Sequence, residues 1–193
     1  MDVNRMVRFG KVDVFGKVSF VVPYFGLPVI LALLFVVRFG KMEAIVFLWC
    51  LMLVVFGYIT SVLDIRTKRI PNNLVLAMLV AWVITVVPVL FFDISRAFLL
   101  IKDSAFGFAL GGGLFLLVYV ISRKGLGGGD VKFMAVAGLY LGFHGVIPTI
   151  FCGSILAAIT ALILILLKKL NRKDTMPLAP FLYVGMLITI FFA

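Results

Sequence analysis

Long apolar segments dominate the sequence and constrain its fold more than any other feature. Six of them approach or reach the length of about 20 apolar residues that an α-helix needs to cross a bilayer. They are 18–37, 44–63, 73–92, 104–121, 146–167 and 177–192. Only 13% of the residues are charged, against about 25% in soluble domains, and the mean hydropathy is +1.27. The sequence therefore predicts an all-α, polytopic transmembrane helical bundle.

The distribution of basic residues indicates whether the shorter apolar stretch 131–145 crosses the membrane, because these residues concentrate on the cytoplasmic side of membrane proteins. If this stretch crosses and the N-terminus is cytoplasmic, fourteen of the eighteen Lys and Arg residues lie in cytoplasmic segments. If it does not cross, only ten of them lie in cytoplasmic segments and eight lie outside. We therefore expect about seven spans in the cytoplasmic membrane. The net charge of +10 is then explained by contact with anionic lipids rather than nucleic acid.

Two of the eight acidic residues, Asp64 and Asp130, stand out because each abuts a long apolar helix on the predicted cytoplasmic side. Asp64 closes the second span, and Ile70-Pro71-Asn72 after it indicates a helix end and a restart. Asp130 follows Gly127-Gly128-Gly129 and opens the stretch 131–145. An ionisable residue near membrane depth marks a candidate functional site. A salt bridge at Asp64 and a helix cap at Asp130 would also account for both positions.

At these motifs the sequence resembles the type IV prepilin peptidases, including the archaeal preflagellin peptidases, which are GxGD-type membrane aspartyl proteases. The resemblance rests on Asp64 with Ile70-Pro71-Asn72, and on Gly127-x-Gly129-Asp130 followed by Val131-Lys132. The segment P-L-A-P-F at 177–181 is similar to the closing P-F-G-P-F of that family. The similarity covers about residues 44–193. We therefore expect an aspartyl protease membrane domain at 44–193, preceded at 1–43 by a basic segment and an extra first span.

The resemblance implies an aspartic endopeptidase that removes the basic leader from type IV pilin-like or preflagellin precursors at the cytoplasmic face. Asp64 and Asp130 would be its catalytic pair, acting on a water molecule. The active-site loop and substrate-binding residues would be Gly127, Gly128, Gly129, Lys132, Pro71 and Asn72. No cofactor or metal site is expected, because no Cys/His cluster is present. Relatives that also methylate their product often carry a zinc domain with paired C-x-x-C motifs, which this sequence lacks, so methyltransferase activity is not expected.

Hydrolysis by two carboxyl groups needs one of them ionised and the other protonated. Asp130 lies at a helix N-terminus and Asp64 at a helix C-terminus, so the helix dipoles favour Asp130 as the ionised member. The basic residues Arg66, Lys68 and Arg69 oppose this, because a positive charge near Asp64 favours its ionised form.

A small proton-coupled transporter is the main alternative, with Asp64 and Asp130 as proton-relay residues. Transporters of this kind favour acidic residues near the middle of the membrane and repeated halves. The sequence shows neither feature. Cleavage of a pilin-type precursor would separate the two functions.

Overall fold

The computed structural model describes residues 14–122, 126–168 and 176–192. These residues form six helices, which are α1 Val14–Arg38, α2 Ala44–Thr67, α3 Asn72–Phe92, α4 Ile94–Ile121, α5 Gly128–Leu166 and α6 Ala179–Phe192. Helices α2 to α5 are each long and apolar enough to cross a membrane, whereas α6 and residues 26–38 of α1 are shorter apolar helices. The fold is thus an all-helical membrane bundle, as the sequence predicts. The predicted basic segment before residue 14 lies outside the described residues.

Helix α5 contains a sharp reversal at Gly142, where φ is 65° and ψ is −177°. A Cβ built on Gly111 of α4 would lie 2.6 Å from the carbonyl oxygen of Met134 and 3.6 Å from the side chain of Val146. Residues twelve apart on a straight helix are separated by about 18 Å. Because Met134 and Val146 both reach Gly111, the chain folds back between them. Glycine suits this turn, since a positive φ is unfavourable for residues with a Cβ.

This reversal bears on the predicted number of spans. The stretches 131–145 and 146–167 were expected as separate spans, and both lie in α5, which consists of two helical segments on either side of Gly142. The chain therefore turns three residues before the boundary that the sequence predicts. Seven membrane crossings and a cytoplasmic N-terminus remain predictions.

Glycines allow α4 and α5 to approach very closely. A Cβ on Gly107 of α4 would collide with the carbonyl oxygen of Gly138, and a Cβ on Gly138 would collide with that of Gly107. The spacing of Gly107 with Gly111, and of Gly138 with Gly142, predicts this kind of packing in a membrane. The close approach is confirmed, and it holds the first part of α5 in a fixed position.

Helices α2 and α6 pack antiparallel and close the bundle near its N-terminal helix. Arg38 at the end of α1 donates from Nε to the carbonyl oxygen of Ile190 near the end of α6, at 2.9 Å. At the opposite end of α6, Ala179 contacts the last turn of α2. The predicted boundary between 1–43 and 44–193 falls in the connection between α1 and α2, and the division into two parts stays a prediction.

Candidate active site

Asp64 lies in the last turn of α2 with its carboxyl group buried, and 5% of the residue is exposed. The helix ends directly after it, because Lys68 adopts the left-handed conformation and donates its N–H to the Asp64 carbonyl oxygen at 2.8 Å. The Asp64 Oδ2 atom accepts a hydrogen bond from the backbone N–H of Ala179 at 3.0 Å. The backbone N–H of Leu178 lies near the same carboxyl group and also favours its ionised form. Two backbone N–H groups from the start of α6 thus lie beside a buried carboxyl group at the end of α2.

Asp130 lies in the first turn of α5, and 9% of it is exposed. Its backbone N–H donates to the carbonyl oxygen of Gly127 at 3.1 Å, and the N–H of Gly127 lies near its carboxyl group and favours the ionised form. The Oδ1 atom is buried, and no described residue donates a hydrogen bond to it. One oxygen of this carboxyl group therefore remains available to a ligand within the described part of the protein.

The glycine run before Asp130 leaves room for that carboxyl group. A Cβ on Gly127 would lie 2.8 Å from Asp130 Oδ2, which is closer than such atoms approach in proteins. A Cβ on Gly128 would meet nothing within 4 Å. The first and second glycines of the run therefore have different roles, although they are adjacent in the sequence.

The carboxyl groups of Asp64 and Asp130 are close enough to interact electrostatically. They belong to different helices and are 66 residues apart in the sequence. Lys68 also acts electrostatically on Asp64. The fold therefore brings together the two acidic residues that the sequence singles out, with a cation beside one of them.

The segment between α2 and α3 packs directly on the glycine run. A Cβ on Gly129 would lie 3.0 Å from the Ile70 side chain. Lys132 Nζ donates to Asn72 Oδ1 at 3.0 Å, joining the first residue of α3 to the first turns of α5. Pro71 is exposed and precedes α3 as its N-cap residue. The start of α3 is thus joined to the glycine run and to the first turns of α5, close in sequence to Asp130; a role of Pro71, Asn72 and Lys132 in substrate binding stays a prediction.

The sequence did not identify the contact that Ala179 makes with Asp64. The segment 177–181 was matched to a family motif, but no pattern of side chains shows that a backbone N–H is the group in contact. The two prolines of this segment, Pro177 and Pro180, are the only local signal, because they indicate an extended entry into a helix start.

Two buried carboxyl groups that interact electrostatically disfavour each other's negative charge, so one can be ionised while the other stays protonated. Such a pair can take a proton from water with one member and donate a hydrogen bond to a carbonyl group with the other. The backbone donors to Asp64 and the unpaired oxygen of Asp130 give the two groups different surroundings. This arrangement has the chemical components for hydrolysis.

Comparisons with known proteins relate the chain to a family of leader peptidases. Residues 47–162 match the model of the type IV leader peptidase family. Similar curated proteins are the prepilin leader peptidase/N-methyltransferases of Pectobacterium carotovorum subsp. carotovorum, 32% identical over 72% of this chain and 49% of the relative, and of Escherichia coli (strain K12), 30% identical over 67% and 56%. That of Bacillus subtilis (strain 168) is 29% identical over 79% of this chain and 58% of the relative. The chain spans about half the length of the curated relatives it matches. No solved structure matches it.

Proposed function

The chain belongs to the type IV leader peptidase family, and we propose that it is an aspartic endopeptidase of the cytoplasmic membrane. Its substrates are type IV pilin-like or preflagellin precursors, from which it cleaves the basic leader at the cytoplasmic face. The observation that carries this proposal is the pairing of Asp64 with Asp130, two buried carboxyl groups that interact at one end of the bundle. The curated relatives named above are prepilin leader peptidases, which supports the substrate class.

The mechanism requires one proton shared between the two aspartates. The ionised form of a carboxyl group is favoured by each hydrogen bond that it accepts, and Asp64 accepts one from Ala179 with the N–H of Leu178 nearby. Asp64 is then the general base that takes a proton from the attacking water. Asp130 holds the shared proton and polarises the scissile carbonyl group.

This assignment reverses the one expected from the helix dipoles. A dipole at a helix end contributes about 0.3–1 kcal/mol in exposed positions and up to about 2 kcal/mol in partly buried ones, whereas each hydrogen bond to a charged group contributes about 1.5–3 kcal/mol. The backbone donors beside Asp64 therefore outweigh the dipole that favours ionised Asp130. Asp130 itself has only the N–H of Gly127 near its carboxyl group among the described backbone donors.

The position of the pair suits a substrate with a basic leader and an apolar helix. The apolar helix stays within the membrane and packs against the bundle, the leader remains in the cytoplasm, and the scissile bond is then level with the two aspartates. Arg66, Lys68 and Arg69 are exposed beside Asp64. In this proposal they contact anionic lipid headgroups, since they would otherwise repel a basic leader.

The proposal is tested by incubating the purified protein, reconstituted in liposomes, with a type IV pilin precursor. We expect Asp64→Asn and Asp130→Asn each to abolish cleavage while the protein remains folded, because neither carboxyl group can replace the other. Asp93→Asn is the matched control. Asp93 caps α4 by accepting the N–H of Arg96, and asparagine caps equally well, so this variant should cleave normally.

Normal cleavage by either active-site variant would rule out the aspartate pair. A transporter would instead leave the precursor intact, and it would carry protons across the liposome membrane in a manner that depends on Asp64 and Asp130.

A further inference from the structure

The hydroxyl group of Tyr183 is a buried polar group that the proposed reaction does not yet use. Tyr183 is 6% exposed, and no described residue forms a hydrogen bond with its hydroxyl group. Another buried tyrosine, Tyr140, donates to the carbonyl oxygen of Met78 at 2.6 Å. Buried hydroxyl groups normally have a partner, so the hydroxyl group of Tyr183 calls for an explanation.

Tyr183 lies close to Asp64 on the interface between α2 and α6. It follows Ala179 by four residues, so it is one turn further along the same face of α6. Its ring covers Gly57, where a Cβ would lie 2.7 Å from the ring. Gly57 precedes Asp64 by seven residues, which is about two helical turns or 10 Å. Tyr183 is therefore one to two turns deeper in the bundle than the aspartate pair.

The neighbouring face of α2 is also polar at this depth. Tyr58, Ser61 and Asp64 are three residues apart along α2, and all three are buried. The ring of Tyr58 packs edge-on against that of Tyr183, with ring centroids 6.0 Å apart. Polar side chains in the interior of a membrane bundle are unfavourable without a partner, and they mark functional positions. The polar face thus continues from Asp64 toward the membrane interior.

A substrate of the proposed peptidase needs hydrogen-bonding partners at this depth. Its scissile bond has to be extended to reach the two aspartates, while the segment that follows is an apolar helix. The first turn of that helix leaves backbone groups without partners, and lipid supplies none. The hydroxyl group of Tyr183, one to two turns below the aspartates, is at the right depth to supply one when the substrate enters beside α2 and α6.

We propose that the hydroxyl group of Tyr183 is a positioning group that hydrogen-bonds the backbone of the substrate in the first turn after the scissile bond. This inference rests on the proposed function. The hydroxyl group forms no contact with the reacting atoms. It fixes the depth of the substrate relative to Asp64 and Asp130.

The test is Tyr183→Phe, compared with Tyr140→Phe, in cleavage of a purified type IV pilin precursor by the full chain in liposomes. Tyr183→Phe should lower kcat/KM by about three- to tenfold, the effect of one lost hydrogen bond. Its thermal stability should equal or exceed that of the unmodified protein, because an unpaired buried hydroxyl group is removed. Tyr140→Phe loses the bond to Met78 and should show the opposite pattern, a lower melting temperature with an unchanged kcat/KM.

Three outcomes would count against the inference. An unchanged kcat/KM in Tyr183→Phe would show that its hydroxyl group does not bind substrate. A loss of activity accompanied by a matching loss of stability would show a purely structural role. If the unmodified protein does not cleave the precursor, the proposed function is wrong as well. If it cleaves normally and Tyr183→Phe is unaffected, only the role of Tyr183 is wrong.

Discussion

The backbone N–H of Ala179 donates a hydrogen bond to Asp64 Oδ2 at 3.0 Å, across 115 residues of sequence. The start of the last helix is thereby joined to the end of α2. Ala179 is fully buried, so water competes little for this bond. In the proposed mechanism the bond favours the ionised form of Asp64, and it makes the pH dependence of cleavage depend on a backbone group.

Removing this donor should change the pH profile of cleavage. An aspartate pair that works with one shared proton gives a bell-shaped profile, because activity is lost at low pH when both groups are protonated and at high pH when both are ionised. Ala179→Pro replaces the N–H at the first position of α6, where proline is tolerated, with a ring carbon, so the Asp64 carboxyl group loses this donor and has to shift away from the ring. Asp64 then ionises less readily, so the acid limb should move to higher pH by roughly one unit.

Ala179→Gly is the matched control, since it keeps the N–H and removes only a methyl group. Its acid limb should coincide with that of the unmodified protein. The measurement is the rate of precursor cleavage between pH 4 and 9 (roughly the range over which such pairs titrate). An unmoved acid limb in Ala179→Pro would show that this hydrogen bond does not govern the ionisation of Asp64.

A second prediction separates the two glycines before Asp130. Gly127→Ala places a Cβ 2.8 Å from Asp130 Oδ2, so the carboxyl group has to rotate away. Rotation of a side chain costs the fold little, but a displacement of about 1 Å at a catalytic group can cost about 100-fold in rate. Gly127→Ala should therefore lower kcat by at least about tenfold with little change in stability.

The adjacent Gly128→Ala is the control, because its Cβ would meet no atom within 4 Å. It leaves the space beside Asp130 unchanged and should retain clearly more activity than Gly127→Ala. Cleavage rates and melting temperatures of both variants decide the matter. Equal activity of the two would show that the space beside Asp130 is not needed for catalysis.

The sequence predicted the helical class, close helix packing at the spaced glycines and the position of Asp64 at the end of its helix. These features follow from apolar length, glycine spacing and helix-stop signals, all of which are local. The hydrogen bond from Ala179 to Asp64 was not predictable, because it uses a backbone atom from a distant segment. The reversal between 131–145 and 146–167 was predicted, but its position at Gly142 was not, for a similar reason. A glycine four residues after Gly138 is equally typical of helix packing. Only the tertiary contact between Asp103 and Phe143 distinguishes a glycine in a chain reversal from a glycine in a packed helix.

The third prediction concerns Asp103, which supports the reversal in α5. Its Oδ1 atom accepts the N–H of Phe143 at 3.1 Å, so a side chain from α4 caps the helical segment that begins after Gly142. Loss of a cap costs about 1 kcal/mol, within a range of roughly 0.5–2 kcal/mol. Asp103→Ala should lower the free energy of unfolding by this amount, as measured by denaturant titration in micelles.

Asp103→Asn is the control, because it retains an acceptor oxygen and should lose much less stability. Both variants should keep the kcat of the unmodified protein, because Gly142 is twelve residues from Asp130, about 18 Å along a helix. A loss of kcat in Asp103→Asn without a loss of stability would show that the reversal affects the aspartate pair directly.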